Sequence, residues 1–413
     1  MDTNANNNRE SFEDQQVIFV DTHLIQKAVE GLQRAREEFQ TLLEQAEGGD
    51  ASVYYDLGVR YTEGDGTDKD PAQAARWFAL ASEDGDLRAT DLLGRCYQSG
   101  AGVEKDEARA AELFQQAAEQ DYAPAQCDLG LSYENGSGVE KDEARAAECY
   151  LQAAEQDYAP AQTNLAVCLL NGTGAERSAE EAVGWLEKAV EQEFPRAQGI
   201  LGDLLLTGNG VPEDKARAVE LYRAAAKGGY VPAMCDLGLC YENGDGVEED
   251  LRHAVLWYRK SAEEGYAPGQ CNLAVCYLNG NGVERDAAAA VRWLEKAAAQ
   301  GNARAQSILG DLCRDGEGTE VDAARAFQLY TQAAEQGYPR AQCNLGYCYE
   351  SGKGVKEDKA RAVKLYRQAA EQGSSVGQCN LGYCMLKGIG IRPDPAQAVY
   401  WFRKAAEGGS GRA

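Results

Sequence analysis

Three observations predict an all-α solenoid of ten 36-residue helix-turn-helix repeats: a glycine pair recurring at one fixed step, an amphipathic stretch before each pair, and a capping residue after it. The pair reads G-x-G. Its first glycine stands at Gly64, Gly100, Gly136, Gly172, Gly208, Gly244, Gly280, Gly316, Gly352 and Gly388, 36 residues apart each time. A chain of 413 residues would ordinarily divide into two or three domains, whereas a solenoid grows by adding units that contact only their neighbours.

The chain opens with residues 1–20, rich in Asn, Asp and Glu, which read as a disordered polar N-terminus. That stretch lacks a basic start, and Val17 to Val20 is too short for a signal-peptide core. Residues 21–48 read as an N-terminal capping helix, with Leu24, Ile25, Ala28, Leu32, Phe39 and Leu42 at helical spacing. Gly49 stands 36 residues before Gly85, which closes the second helix of the first repeat. The segment is thus expected to act as a degenerate second helix that covers the apolar end of the stack. The array spans 49–409, with repeats at 51–86, 87–122, 123–158, 159–194, 195–230, 231–266, 267–302, 303–338, 339–374 and 375–409. The tail, 410–413, is expected to fray.

The unit 123–158 shows the local reasons. Ala125, Leu129, Gly130 and Tyr133 share one side of a first helix, helix A, over about Ala123 to Asn135. Gly136 supplies the left-handed conformation that commonly ends a helix, and Gly138 lets the chain turn back. Asp142 stands where an N-cap belongs, as do Asp70, Asp106, Asp214, Asp250, Asp286, Asp322, Asp358 and Asp394, with Ser178 in the remaining repeat. Helix B follows, with Ala146, Tyr150, Ala153 and Ala154 on its buried face. Trp77, Phe114, Trp185, Tyr222, Trp257, Trp293, Tyr330, Tyr366 and Trp401 occupy the Tyr150 position or the one before it, and large rings against small Ala and Gly bring antiparallel helices to about 8–10 Å.

These residues carry a resemblance. The pattern A-x-Q-x-x-L-G-x-x-Y-x-x-G-x-G-V-x-x-D, then A-x-x-x-Y-x-x-A-A-E-Q-G, resembles the Sel1-like repeat (SLR), a relative of the tetratricopeptide repeat, over Ala51 to Gly409. The resemblance implies a right-handed α/α superhelix whose concave side is lined by helix A. It also implies an adaptor that assembles other proteins, as relatives do in signalling, protein quality control, cell-wall regulation and bacterial contact with host cells. A 108-residue echo overlies the shorter step: CDLGLSYENG at Cys127 returns as CDLGLCYENG at Cys235, as expected from duplication of three repeats.

Composition narrows the partners. Sixty-seven Asp and Glu against 41 Lys and Arg leave a net charge of −26, which repels nucleic acid and anionic membrane surfaces. Solubility accounts for such acidity more readily than a match to a basic partner protein or peptide, which stays open. The longest apolar runs fall far short of the roughly 20 residues that cross a bilayer. A cytoplasmic location without membrane insertion is the expectation. No cofactor or metal is expected: the thirteen cysteines lack C-x-x-C spacing, and the pairs Cys235/Cys240, Cys271/Cys276, Cys343/Cys348 and Cys379/Cys384 lie five apart, pointing about 140° from each other on a helix. Reduced thiols in packing roles fit better than disulfides.

Catalysis is not expected. His23 and His253 are far apart in sequence, neither has a nucleophile motif nearby, and the glycine turns follow helices rather than strands. Some cysteine-rich relatives carry a β-lactamase label, but the S-x-x-K motif of that chemistry is absent. Three readings therefore stand in order: a noncatalytic scaffold that binds an extended or basic segment in the concave helix A groove, a regulatory subunit that holds an enzyme through the convex helix B face, and a hydrolase of β-lactamase type. By tetratricopeptide geometry, the residue before the helix A leucine faces the groove, which gives Asp56, Asp128, Asn164, Asp236, Asn272, Asn344 and Asn380 as candidate contacts. Three residues further on, Tyr347 and Tyr383 are the aromatic candidates. The same Asn residues could instead serve the repeat by bonding a neighbouring helix.

Overall fold

The structure is a computed structural model that describes residues 22–408; the N-terminal stretch and the tail named above lie outside the described residues. Those residues form 21 α-helices and one short 3-10 turn, with no strand among them. The first helix, α1, runs Thr22–Glu47, and the antiparallel helix pairs of the ten repeats follow. From the second repeat on, each helix A is thirteen residues long, as in Ala123–Asn135, and its helix B runs antiparallel, as in Glu143–Glu155. The described residues divide into two compact units, 22–161 with 172–176, and 162–171 with 177–408.

Helix ends fall where local chemistry places them. The first glycine of each pair is left-handed, with φ between 68° and 79°, and ends helix A. Asp142 caps helix B by accepting from the backbone N–H groups of Ala144 and Arg145 at 3.1 Å each, and Asp70, Asp250 and Ser178 act alike.

The second glycine does more than let the chain turn. A Cβ at Gly138 would meet the Glu107 carbonyl, and one at Gly246 the Lys215 carbonyl, so each repeat lies directly on the start of the preceding helix B. Gly66 lies in the same way on the Ala35 backbone of α1. Ala35 is thus the counterpart of a helix B start, and the C-terminal half of α1 fills a helix B place. Phe39 and Ala46 there pack with Val53, Leu57 and Trp77.

Within a repeat, the helices meet at a ring slot narrower than the sequence implied. The slot holds Phe78, Phe114, Tyr150, Leu186, Tyr222, Tyr258, Leu294, Tyr330, Tyr366 and Phe402. Tryptophans at 185, 257 and 293 stand one residue earlier, outside the slot, each under a lysine ammonium: Lys188, Lys260 and Lys296 lie 3.9–4.2 Å from the ring centroids. Every ring faces a glycine of helix A, such as Gly130 against Tyr150 or Gly238 against Tyr258. In the two repeats with leucine in the slot, the glycine is replaced by buried Ala166 or Ala274.

The rings carry a second pairing. Tyr150 donates to Glu134 at 2.5 Å, Tyr258 to Glu242 at 2.5 Å and Tyr366 to Glu350 at 2.7 Å. Tyr222 and Tyr330 donate instead to Asp203 and Asp311, at 2.7 and 2.8 Å, three residues earlier on helix A. Repeats with Phe or Leu in the slot carry an acid at neither place; Val59 with Thr62 and Val167 with Leu170 are examples. A buried hydroxyl needs an acceptor, and only the repeats that own one supply it.

Glutamines join successive repeats. Gln156 donates to Gln126 at 2.7 Å, and Gln126 donates to the Ala118 carbonyl of the preceding helix B at 3.4 Å. Gln300, Gln270 and the Ala262 carbonyl repeat this relay. The A-x-Q of the sequence pattern is therefore a buried link between units.

The ring and glycine should be energetically coupled. A Cβ on Gly238 would stand 2.5 Å from the Tyr258 ring. Gly238→Ala is expected to cost about 1–3 kcal/mol in urea unfolding. Adding Tyr258→Leu, which recreates the natural Ala–Leu pairing, should recover at least about 0.5 kcal/mol relative to additivity; strictly additive losses would show that the slot does not set the approach.

Candidate functional site

The candidate contacts stand at equivalent positions of successive helices A, and the repeats themselves consume part of them. Within the unit holding repeats 4 to 10, Asn164 and Asn272 are only 8% and 9% exposed. Arg196 of the next helix A donates to Asn164 Oδ1 at 2.6 Å, and Arg304 donates to Asn272 Oδ1 at 2.7 Å. Asn272 Nδ2 also reaches Cys235 Sγ at 3.4 Å. Asn344 Nδ2 donates to Asp311 Oδ1 at 2.8 Å. Three of the amides expected to grip a ligand thus bond to neighbouring repeats.

Sequence reasoning missed the arginines that claim two of them, Asn164 and Asn272. Each stands at the second residue of a helix A, 32 residues after its target. That spacing is visible in the sequence and also relates Arg88 to Asp56, whose charge stabilises the Arg88 guanidinium, although its largest stabilising partner is Asp86. Arg340 has Ile308 at that distance and turns to Asp311 Oδ2 at 2.6 Å.

The carboxylates differ by what faces them. Asp128 accepts from Arg95 Nε at 2.6 Å, and the same guanidinium holds Asp91 at 3.0 Å. Asp91 is 2% exposed, and burial pushes its carboxyl up to about 7, opposed by Arg95 and reinforced by Asp128. Asp236 is half-buried, and no cation acts on it among the described residues. Burial, then the Asp203 charge, pushes its carboxyl up to about 7. Where Arg304 reaches back to Asn272, the residue 32 after Asp236 is Pro268, which carries no charge. Asp203 is raised too, mainly by desolvation, with the Tyr222 hydroxyl as its only counterweight.

Tyr347 and Tyr383 remain open, at 43% and 49% exposure. Lys353 lies 5.2 Å over the Tyr347 ring and donates to its hydroxyl at 3.3 Å. Asn380 is half-buried beside Tyr383 on the last helix A, while Asp56 is exposed at the other end of the series.

Chemistry beyond binding finds little support. His253 Nδ1 pairs with Asp250 Oδ2 at 2.7 Å, completing a helix N-cap, and its ring stacks on Tyr241 at 5.3 Å. Burial pushes the thiols of Cys235, Cys240, Cys276 and Cys384 up to about 12, far from the thiolate range of reactive cysteines. Among the described residues, no group of His, Cys, Asp and Glu is placed to hold a metal, and no helix is long and apolar enough to cross a membrane.

Comparison with known proteins follows the same lines. The Sel1 repeat family matches residues 51–86, 88–122, 123–158, 159–194, 195–230, 231–266, 267–302, 303–338, 339–374 and 375–410. Among solved structures, the chain is similar to a protective antigen of uropathogenic Escherichia coli strains that displays an SLR fold. The two are 32% identical, 89% of this chain and 86% of that one are covered, and the TM-score is 0.56. It is also similar to a Sel1 repeat protein from Oxalobacter formigenes, 33% identical over 59% of this chain and 96% of that one, with a TM-score of 0.54. No curated protein matches the chain.

The unpaired Asp236 gives a pH signature. Its carboxyl titrates near 7 when folded against an ordinary value of 3.8, so the folded chain holds an extra proton between the two. Stability from this site is greatest below about pH 4, falls as pH rises through the window and is lowest above about pH 7. Asp236→Asn is therefore expected to raise the melting temperature at about pH 8 and leave it unchanged at about pH 4, measured by calorimetry across a pH series.

Proposed function

The chain belongs to the Sel1 repeat family, and from that premise we propose that it is a noncatalytic scaffold that binds an extended, basic segment of another protein along its helix A face. Sel1 repeat proteins mediate protein–protein interaction. The observation that carries the reading is the open pair of tyrosines, Tyr347 and Tyr383, on adjacent helices A where other positions of the row are filled by internal bonds. Rigid aromatic side chains with a polar tip are the usual anchors of protein interfaces.

The basic character of the segment follows from charge. The Asp203 carboxylate raises Asp236 on the next repeat, and no cation acts on either, so an incoming guanidinium or ammonium would relieve their repulsion. The helix B side supports docking less well, because Trp185, Trp257 and Trp293 are half-buried, whereas Tyr347 and Tyr383 are exposed.

The test replaces Asn344, Tyr347, Asn380 and Tyr383 together by Ala and compares the proteins retained from the native cell by the wild type and the variant. Partner retention is expected to fall at least about tenfold, in line with about 2 kcal/mol for a hot-spot aromatic, while helical signal and melting temperature stay near wild type. Unchanged retention by a folded variant would sink the reading.

A further inference from the structure

Two hollows flank helix A of the first repeat, one on each side. The first lies between that helix and α1 and encloses about 550 Å³. Its rim carries Glu38, Asp56, Glu63 and Asp65 against one cation, Arg60. The Arg60 guanidinium is already engaged, by Glu38 at 3.0 Å and Asp65 at 2.8 Å. Four carboxylates thus line an open cavity with one guanidinium among them, and Arg88, 4.0 Å over the Tyr55 ring, acts on Asp56 from outside it, so the lining stays net negative.

The second hollow, of about 380 Å³, lies between the same helix and helix A of the second repeat, Leu87–Ser99. Val59, Phe78, Leu92 and Cys96 form its apolar wall, with Thr62 and Ser99 beside them, and Tyr55, Val59 and Glu63 border both hollows. Arg95 at its edge brings no free charge, since Asp91 and Asp128 hold its guanidinium. A pocket of this size takes one bulky apolar side chain with room for its backbone at the mouth.

We propose that these two hollows form one bipartite site for a partner segment that carries a basic and a bulky apolar side chain three residues apart. The site rests on the helix A reading above and adds the location and the motif. Helices packed side by side stand about 8–10 Å apart. A polyproline II chain rises about 3.1 Å per residue with three residues per turn, so residues i and i+3 share a face and stand about 9 Å apart. The basic group enters the acidic hollow, where it meets charge of opposite sign, and the apolar group enters the second, against Val59, Phe78 and Leu92. A nucleic acid fits neither, because the acidic rim repels phosphate.

The probe is a fluorescein-labelled proline-rich peptide with one Arg and one Leu three residues apart, made in both orders and titrated by anisotropy into the full chain. At least one order is expected to bind. Glu63→Lys with Asp65→Lys reverses the rim at exposed positions, and Cys96→Trp fills the apolar hollow. Each change is expected to weaken binding at least about tenfold, as is replacing the peptide Arg by Glu. The Asn344, Tyr347, Asn380 and Tyr383 quadruple variant should bind the peptide as the wild type does. Should Cys96→Trp lose its helical signal, the charge reversal alone decides. Binding that survives the charge reversal overturns the site, and if the quadruple variant abolishes it instead, the helix A reading stands with its anchor in the last repeats. Failure of both peptide orders to bind the wild type also overturns the site, leaving partner retention to judge the wider reading.

Discussion

Stacking in this protein depends on the close approach of the second glycine of each G-x-G pair to the start of the preceding helix B. The approach is backbone on backbone at every pair but Gly210, which meets the Ala179 Cβ. Gly138 on Glu107, Gly246 on Lys215 and Gly390 on Lys359 leave no space for a Cβ, so the loop that ends one repeat's helix A lies against the first turn of the previous helix B. That contact ties the spacing of repeats to the loop length, and nine steps of 36 residues without an insertion are the result. The glutamine relays then form in register, because Gln126 and Gln270 can reach the preceding helix B carbonyls only at that spacing. Packing within the repeat follows a parallel rule, in which a missing Cβ at Gly130 or Gly238 makes room for a tyrosine ring.

The same regularity shapes where a partner can be held. A repeat protein spends most of its helix A surface on its own neighbours, and here Arg196, Arg304 and Arg340 reach back to the previous repeat and bond to Asn164, Asn272 and Asp311. Surface is released where the series is broken. Val376 stands where an arginine would reach back to Asn344, and Pro268 stands where one would reach Asp236. The proposed contacts Asp236, Tyr347 and Tyr383 fall at or beside these irregular places, whereas the two hollows flank the first repeat, where Arg88 keeps the offset to Asp56.

Much of this was legible in the chain itself. The glycine ladder, the Asp caps and the apolar spacing located every repeat helix because each acts through local backbone chemistry. The ring slot was less legible, since Trp257 and Tyr258 are adjacent large residues and only packing decides that the tyrosine enters while the tryptophan lies under Lys260. The candidate site was read least well. Asn164 and Asp128 look alike in the repeat pattern, yet one is claimed by the following repeat and the other by the preceding one. The 32-residue offset between Arg196 and Asn164 was present in the sequence, but its meaning depends on how far a guanidinium reaches across a stack.

The stacking constraint can be separated from the cost of left-handed backbone by comparing two neighbouring glycines. Gly244 and Gly246 have φ of 75° and 71°, so replacing either by Ala carries a similar conformational penalty of about 1–2 kcal/mol. A Cβ at Gly244 finds its nearest neighbour, Glu249, at 3.6 Å, whereas one at Gly246 collides with the Lys215 carbonyl. Equilibrium unfolding of the two single variants should therefore show Gly246→Ala to be the more destabilised by at least about 1 kcal/mol, the lower end of overpacking costs. Equal losses at the two positions would contradict the dependence of stacking on that backbone contact.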